Sequence, residues 1–338
     1  MDSLNSKVSR QQDLLSDFLS QWSLGEGVRV NTSGSTGTPK EILLPHEVLV
    51  RSARRTANFF GLHKNSHIHS AISFEYIGGK MMIARSLVAG CRLSFCNPSL
   101  SPELPPDNSA VDLMSVVPAQ MVHILDNLDS FRRVRKFLIG GSSIDPRLWD
   151  RIVESGVQAW ESYGMTETAS HVALRRICGS ASRRPRFIPL PGISVSTDFD
   201  GRIHIRDEKS FFTTNDCGRS FPDGSFIVSG RMDHMIISGG IKVNPLQVEE
   251  VLVEYMSDLL DHFFISSSPD ERWTSRIVLV GESPDTSDNA KRDLASRIKG
   301  AIDNIPLEVL PLRLRPKEII LLDRFDYTPS GKLIRRIP

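Results

Sequence analysis

The sequence between residues 113 and 160 predicts strands alternating with helices, and this pattern restricts the possible fold more than any other feature of the chain. Three apolar runs predict strands, at 113–117, 136–139 and 157–160. Helical spacing predicts two helices between them, at 119–128 and from Pro146. The alternation predicts an α/β fold, with mostly parallel sheets flanked by helices. Ligands of such sheets bind beyond the carboxyl ends of the strands, where we expect 140–143 and 162–168 to lie.

Composition narrows the class of protein. The chain has 338 residues, enough for roughly two domains of about 150 residues each. The formal net charge is +1, which gives no electrostatic reason to expect nucleic acid or an anionic membrane as a partner. No apolar run approaches the ~20 residues that span a bilayer, and residues 1–7 show no apolar signal core. The four cysteines form no C-x-x-C pair, so reduced thiols and a cytoplasmic location are expected.

The predicted secondary structure changes after about residue 190, where short β segments and turns replace the alternating strands and helices. Asp200-Gly201 and Asp223-Gly224 predict hairpins. Two helices and two further strands are predicted beyond them, at 246–256, 291–303, 277–280 and 318–322. These elements predict a β-rich segment followed by a small, mobile α+β domain. We therefore divide the chain into residues 1–231 and 232–338.

The loop 32–40 is rich in groups that bind phosphate: glycines, hydroxyl side chains and a closing lysine. It does not fit the P-loop pattern, because only two residues separate Gly34 from Gly37 and Pro39 replaces the second glycine. Short strands are predicted on both sides, whereas a P-loop opens a helix. The residues alone leave two interpretations open, a loop that closes over a nucleotide and a turn with a surface lysine.

Other groups suited to nucleotide chemistry are scattered along the chain. Thr166 and Glu167 offer oxygen ligands for Mg²⁺. Asp216, in a predicted short loop, is placed to accept hydrogen bonds from ribose hydroxyls. Arg231 and Lys332 lie at the predicted domain junction and in the C-terminal domain. His67 and His69 alternate on one predicted strand, but no third ligand is in view, so ordinary strand histidines are expected there.

Taken in order, these segments resemble the adenylate-forming superfamily, which includes acyl- and aryl-CoA ligases. The resemblance covers nearly the whole chain. It rests on five segments, 32–40, Tyr163-Gly164-Met165-Thr166-Glu167-Thr168, Asn215-Asp216, 230–243 and Pro329-Ser330-Gly331-Lys332. Each alone is weak, but five in the family's order with fitting gaps make a specific pattern.

The resemblance implies that ATP, Mg²⁺ and CoA bind this chain. The β- and γ-phosphates would be held by Thr32, Ser33, Gly34, Ser35, Thr36, Gly37 and Lys40. The adenine pocket would be lined by Ser142, Glu161, Ser162 and Tyr163. Thr166 would contact the α-phosphate, Glu167 would bind Mg²⁺, and Asp216 would hold the ribose with help from Arg231. Asp233 would be the hinge, and Lys332 would act at the α-phosphate.

The implied reaction has two steps. A carboxylate attacks the α-phosphorus of ATP and pyrophosphate leaves. The C-terminal domain then rotates, withdraws Lys332 and admits the thiol of CoA to the acyl carbon. No protein nucleophile is needed, because catalysis is positioning together with neutralisation of charge by Mg²⁺, Lys40 and Lys332.

Within the superfamily the segment 163–173 is most similar to a short form of the 2-succinylbenzoate–CoA ligases of menaquinone biosynthesis. Only 31 residues precede Thr32, so most of the family's N-terminal subdomain is expected to be missing. The acyl pocket would be formed by Phe74, Lys80, Ser142, Gly164, Ser170 and His171. Lys80, Ser170 and His171 are candidates for binding a second carboxylate, although a surface helix lysine is an equal interpretation of Lys80.

Two departures and several alternatives stay open at this point. Glu75-Tyr76 stands where the family has a histidine near Phe74, and Asn215 replaces a glycine before Asp216. The enzyme could instead activate another aryl acid or load a carrier protein, or the chain could be a non-catalytic nucleotide-binding protein. Loss of an N-terminal subdomain would expose apolar surface, which makes a homodimer plausible.

Overall fold

A computed structural model describes residues 2–31, 41–283, 285, 287–326, 333–335 and 337, with side chains from Arg10 onward. The chain divides into two compact units, Met1–Ile193 and Ser194–Pro338. The predicted boundary between residues 231 and 232 is not a boundary between compact units. It marks where residues 232–338 are expected to rotate, and it stays a prediction. Among the described residues, no helix is both long enough and apolar enough to cross a membrane.

A mixed seven-stranded sheet packed with helices forms most of the first unit. The helices of the first unit are α1 (Asp2–Leu24), α2 (His46–Phe60), α3 (Ile77–Ala89), α4 (Pro118–Asp126) and α5 (Pro146–Ser155). Its strands are β1 (Gly27–Asn31), β2 (Glu41–Pro45), β3 (His67–Ser70), β4 (Arg92–Phe95), β5 (Leu113–Val116), β6 (Phe137–Ile139), β7 (Ala159–Met165), β8 (Ser170–Arg176) and β9 (Ile188–Pro189). Of these, β1 and β2 form a separate two-stranded sheet. The predicted α/β class is confirmed.

The large sheet has the strand order β4-β3-β5-β6-β7-β8-β9. Its strands run parallel from β4 to β7, and β8 and β9 then add antiparallel to β7. One core cluster packs α4 and α5 on the sheet around Trp149, and another encloses Phe18, Leu49 and Met81 of α1, α2 and α3. The cap predicted for α5 is present, since Asp145 Oδ1 accepts from the Arg147 backbone N–H at 2.8 Å.

Residues 162–168, expected to lie beyond the end of the predicted strand 157–160, mostly continue that strand. β7 runs on to Met165, so most of the expected strand-end segment 162–168 is strand, and only Thr166–Thr168 form a 3₁₀ turn beyond it. The reason is β8, which pairs with β7 from Trp160 to Met165, whereas the pairing of β6 with β7 ends at Glu161. Sequence periodicity carries no information about which partner a strand will find.

The second unit contains the predicted β-rich segment and α+β tail. A four-stranded antiparallel sheet is formed by β10 (Ser194–Thr197), β11 (Arg202–Arg206), β12 (Phe211–Ser220) and β13 (Phe226–Arg231). A hairpin, three further strands and two helices follow, as β14 (Ile236–Ser238), β15 (Ile241–Val243), α6 (Pro245–Met256), β16 (Phe263–Asp270), β17 (Thr274–Glu282), α7 (Asp288–Asp303) and β18 (Glu318–Leu322). Leu252, Leu279 and Ile298 lie in the core of this tail.

Both predicted hairpins are confirmed. Asp200-Gly201 joins β10 to β11, and Asp223-Gly224 lies between β12 and β13. Gly201 and Gly224 adopt φ values of 80° and 81°, which glycine reaches without strain.

His67 and His69 lie on β3 and share the hydroxyl of Ser94 on β4. His67 Nε2 lies 2.7 Å and His69 Nδ1 2.8 Å from Ser94 Oγ. His69 Nε2 lies 2.9 Å from the Glu103 carbonyl oxygen and therefore donates to it. Burial lowers the pKa of His69 from 6.5 to about 4, against the opposing effect of that carbonyl.

This burial predicts a loss of stability in mild acid. Between pH 6.5 and about 4 the unfolded chain takes up a proton at residue 69 that the folded chain does not, so the free energy of unfolding falls as pH drops through this window. We expect His69 to account for on the order of 2 kcal/mol of that fall. Urea unfolding at pH 7 and pH 4.5 measures it, with His69→Gln as the test variant and the exposed His63→Gln as its control. An unchanged difference between the two pH values in His69→Gln would refute the assignment.

Candidate active site

The structure does not describe the phosphate loop, Thr32 to Lys40, or Lys332. It does describe the strands on either side of the loop. β1 and β2 pair antiparallel, and Asn31 lies opposite Glu41 at the base of the loop. Arg29 and Glu41 add an ion pair of 2.8 Å at that base. The prediction of strands rather than a helix around this loop is therefore confirmed.

The four predicted adenine-pocket residues lie on β7 and on the loop after β6. Ser142 is exposed in that loop, beyond the carboxyl end of β6. Gly140 lets the loop approach β7, since a Cβ there would lie 2.4 Å from Ser162 Oγ. Ser162 Oγ in turn donates to the Ile139 carbonyl at 3.0 Å. The loop and the start of the Tyr163 segment are thus brought together, as the strand-end argument expects.

Glu161 has a partner that the sequence did not indicate. Its buried carboxylate accepts from Arg175 Nε at 2.7 Å and pairs with Arg175 Nη2 at 2.6 Å. The Arg175 guanidinium lies over the ring of Phe187 at 4.3 Å, and Phe187 contacts the Tyr163 ring at a centroid distance of 5.7 Å. These contacts fix the side of β7 that carries Tyr163. A direct contact of Glu161 with adenine stays a prediction.

The turn between β7 and β8 holds strained backbone. Ala169 and Ser170 have φ values of 52° and 83°, a region that residues with a Cβ seldom adopt. The conformation is held from two sides, since Ser52 Oγ donates to the Ala169 carbonyl at 2.7 Å and Thr168 Oγ1 to the Ser170 carbonyl at 2.8 Å. Strain maintained by such contacts is concentrated at functional sites in proteins. The exposed carboxylate of Glu167 in this turn has oxygen atoms suited to Mg²⁺.

Gly164 brings β7 and β8 into close contact. A Cβ at this position would lie 2.3 Å from the Ser170 carbonyl oxygen and 2.5 Å from His171 Cα. The absence of a side chain therefore determines how closely Ser170 and His171 approach β7. Its predicted contact with substrate stays a prediction.

Arg85, which is not among the residues predicted from the sequence, lies beside two of the predicted substrate residues. It is on α3 and only 1% exposed. Its Nη2 lies 3.2 Å from Ser170 Oγ and 3.3 Å from His171 Nδ1. Its Nε has no hydrogen-bond partner, and no carboxylate within the described ranges forms an ion pair with it. Burial lowers the pKa of Arg85 to about 9.

His171 is held as a neutral ring. Burial, reinforced by the charge of Arg85, lowers its pKa well below 6.5. Because Arg85 Nη2 can only donate, Nδ1 of His171 accepts and Nε2 carries the proton toward Thr56 Oγ1 at 3.0 Å. Thr56 Oγ1 donates onward to the Ser52 carbonyl at 3.2 Å. Arg85, Ser170, His171 and Thr56 therefore form one buried polar cluster, which we call the Arg85 cluster.

Lys80 and Phe74 are both inside the first unit. Lys80 is 5% exposed, so the interpretation as a surface helix lysine is wrong. Burial lowers the pKa of Lys80, while the charges of Asp17 and Glu75 act in the opposite direction. The Phe74 ring is fully enclosed and packs at 5.0 Å against Phe95. Their predicted contacts with substrate stay predictions.

Within the second unit, Asp216 and Arg231 lie opposite each other on β12 and β13. The predicted short loop around Asp216 is wrong, because Asp216 lies inside the ten-residue strand β12. The interpretation overlooked the pairing with β13, which continues as far as Arg231. Arg231 Nη1 lies 3.4 Å from Asp216 Oδ1, while Arg231 Nε and Nη2 bind both oxygens of Asp233 at 2.8 and 2.7 Å. Hydrogen bonds from Arg231 lower the pKa of Asp233.

Comparison with known proteins decides the family. The sequence matches the family described as AMP-binding enzyme over residues 30–210, which is more than half of the chain. The chain belongs to the AMP-binding enzyme family. The match begins before the phosphate loop and ends after the strained turn, so it covers the Arg85 cluster. The resemblance drawn from the five segments is thereby confirmed.

Relatives and solved structures agree with this membership. A 2-succinylbenzoate–CoA ligase of Haemophilus influenzae is 24% identical over 87% of this chain and 68% of its own length. The structure of an acyl-CoA synthetase (AMP-forming)/AMP-acid ligase II-like protein from Dyadobacter fermentans is 28% identical, covers 95% of this chain and 91% of that one, and has a TM-score of 0.60.

A third comparison concerns the fold alone. The o-succinylbenzoate coenzyme A synthetase of Bacillus subtilis, solved in complex with ATP and magnesium ion, is 22% identical over 91% of this chain and 68% of that one, with a TM-score of 0.69. The chain thus spans about two thirds of the length of the two ligases, whereas it matches nearly the full length of the Dyadobacter protein.

Proposed function

We propose that this protein is an ATP-dependent acid–CoA ligase that activates 2-succinylbenzoate, a step of menaquinone biosynthesis, in the cytoplasm. The observation that carries the choice of substrate is the Arg85 cluster. A buried guanidinium without a carboxylate partner is costly in a folded protein, unless a ligand supplies the missing charge. A dicarboxylate has one carboxylate to activate and a second one to place against such a cation.

The donors of the cluster suit a carboxylate. A guanidinium presents several N–H groups in a plane and can bind both oxygens of a carboxylate at once. Ser170 Oγ, 3.2 Å from Arg85 Nη2, adds a hydroxyl beside it. His171 is neutral and contributes no competing positive charge. Lys80 remains a second candidate cation, since burial lowers its pKa too.

The residues of this chain support the two steps as follows. In the first step an oxygen of the substrate carboxylate bonds to the α-phosphorus of ATP, and the bond to pyrophosphate breaks. Thr166 would contact the α-phosphate, Glu167 would hold Mg²⁺, Asp216 and Arg231 would hold the ribose, and Lys40 and Lys332 would neutralise charge. When bound, Mg²⁺ supplies positive charge for the phosphate oxygens. In the second step the CoA thiol bonds to the acyl carbon and AMP leaves, after residues 232–338 have rotated about Asp233.

A panel of matched acids tests the proposal. Purified protein is incubated with ATP, Mg²⁺ and CoA and one of three acids: 2-succinylbenzoate, 3-benzoylpropionate, which lacks the ring carboxylate, or 2-butanoylbenzoate, which lacks the side-chain carboxylate. We expect thioester and AMP in equal amounts from the diacid. We expect at least ~100-fold lower kcat/KM for 3-benzoylpropionate, which lacks the carboxylate that contacts the cluster. 2-Butanoylbenzoate keeps that carboxylate but lacks the one to be activated, so it should give no thioester. Equal rates with diacid and monoacid would contradict the assigned substrate class.

Two outcomes would assign another function. Acid-dependent pyrophosphate release without consumption of CoA would indicate loading of a carrier protein. No acid-dependent pyrophosphate release with any acid would indicate a non-catalytic nucleotide-binding protein. Self-association into a homodimer stays a prediction, which sedimentation of the purified protein can test.

A further inference from the structure

Backbone hydrogen bonds and apolar packing fix the chain on either side of the segment 327–332 to the rest of the second unit. The Ile334 backbone N–H donates to the Asp326 carbonyl at 2.9 Å, which joins the two ends of the segment. Before it, Phe325 is buried against Phe264, and its backbone N–H donates to Glu282 Oε1 at 3.1 Å. After it, Leu333 packs on the same cluster. Lys332, which belongs to the proposed adenylation site, directly precedes Leu333.

A bidentate ion pair lies just beyond this point. Arg335 Nη1 and Nη2 bind Glu249 Oε1 and Oε2 at 2.5 and 2.9 Å, so both oxygens of the carboxylate are engaged. Glu249 lies on α6, is 9% exposed, and also accepts from the Ile265 backbone N–H at 2.7 Å. The Arg335 guanidinium lies 5.9 Å from the ring of Phe264.

The burial of this pair indicates a role other than stability. Exposed ion pairs add little to the free energy of folding, and buried ones lose the hydration of both charges. Burial raises the pKa of Glu249, while Arg335 acts in the opposite direction. A buried, bidentate pair therefore gives directional constraint more than stability. The constraint acts on a stretch of chain only three residues from Lys332.

We propose that Arg335 and Glu249 are positioning residues for Lys332 in the adenylation step. The inference rests on the proposed function, since it assigns the pair to one half of that reaction. A displacement of about 1 Å in a catalytic group can lower a rate ~100-fold. Both partners lie within residues 232–338, so the pair holds the described chain from Leu333 to Arg335 within that part of the protein. Loss of the pair impairs only the step in which Lys332 acts.

Separate measurement of the two half-reactions tests this assignment. Acid-dependent exchange of labelled pyrophosphate into ATP reports adenylation, and thioester formation from supplied acyl-adenylate and CoA reports the second step. Arg335→Met is expected to lower the exchange rate ~100-fold and to leave thioester formation within about threefold of wild type. Arg335→Lys should recover part of the exchange. The matched control is Arg276→Met, which removes a more exposed ion pair with Asp270 and Glu318 in the same unit.

A double variant separates positioning from folding. Arg335→Met alone leaves the Glu249 carboxylate buried without its cation, and this can unfold the unit. Glu249→Gln/Arg335→Met removes both charges and keeps an acceptor for the Ile265 N–H. We expect it to fold like wild type and to remain deficient in exchange. Restored exchange in the double variant, equal loss of both half-reactions, or full exchange in Arg335→Met would each overturn the inference. Absence of exchange in the wild type would instead refute the proposed function.

Discussion

Replacing Arg85 with methionine is expected to lower kcat/KM for 2-succinylbenzoate by about 100- to 1,000-fold, since a buried charged contact is worth ~2–5 kcal/mol when one partner is truncated. Activity on 3-benzoylpropionate should change by less than about threefold, because that acid offers no carboxylate to the cluster. The measurement is steady-state release of pyrophosphate with each acid. The exposed Arg54→Met on the neighbouring helix α2 is the control.

The same variant has a second expected result, on stability. Methionine at position 85 removes a buried charge that has no carboxylate partner among the described residues, although it also deprives His171 Nδ1 of a donor. We expect the free energy of unfolding of the ligand-free protein to rise by about 1 kcal/mol in urea titrations, since removing the charge outweighs the lost hydrogen bonds to Ser170 and His171. Greater stability with lost activity is typical of a residue kept for ligand binding. A destabilised variant with equally poor rates on both acids would show that Arg85 serves only the fold.

Lys332→Ala is expected to lower adenylation about 1,000-fold, while thioester formation from supplied acyl-adenylate stays within about threefold of wild type. Removal of one preorganised group that stabilises transition-state charge typically costs this much. The half-reactions are measured as for Arg335, and the exposed Lys299→Ala, which breaks an ion pair with Asp303, is the control. Equal loss of both half-reactions in Lys332→Ala would refute the mechanism in which a single lysine serves only the first step.

Much of the fold could be read from local patterns in the sequence. Apolar runs with helical or strand spacing located β5, β6, the start of β7 and the helices between them, because burial of one face dictates that spacing. Helix α5 was predicted to its first residue because Asp145 and Pro146 act within one turn. The Asp-Gly hairpins were predicted because their backbone geometry favours glycine. Each of these signals is local.

Features that depend on distant partners were missed. The full length of β7 and the strand position of Asp216 follow from pairing with β8 and β13, which no local pattern encodes. Arg85 was missed because its significance lies in its burial among Ser170, His171 and Thr56, residues 29 to 86 positions away. One signal was available, since a lone arginine within the apolar helix segment 81–88 is a candidate for a buried cation.

The most direct test of the account follows oxygen from the substrate into AMP. The protein is incubated with ATP, Mg²⁺, CoA and 2-succinylbenzoate labelled with ¹⁸O in its carboxylates. The masses of the AMP and pyrophosphate formed are then determined by mass spectrometry. Attack of a carboxylate oxygen on the α-phosphorus, followed by attack of the thiol on the acyl carbon, leaves one substrate oxygen in AMP. One ¹⁸O is therefore expected in each AMP released and none in pyrophosphate. AMP without label, or label in inorganic phosphate with ADP as the other product, would contradict it.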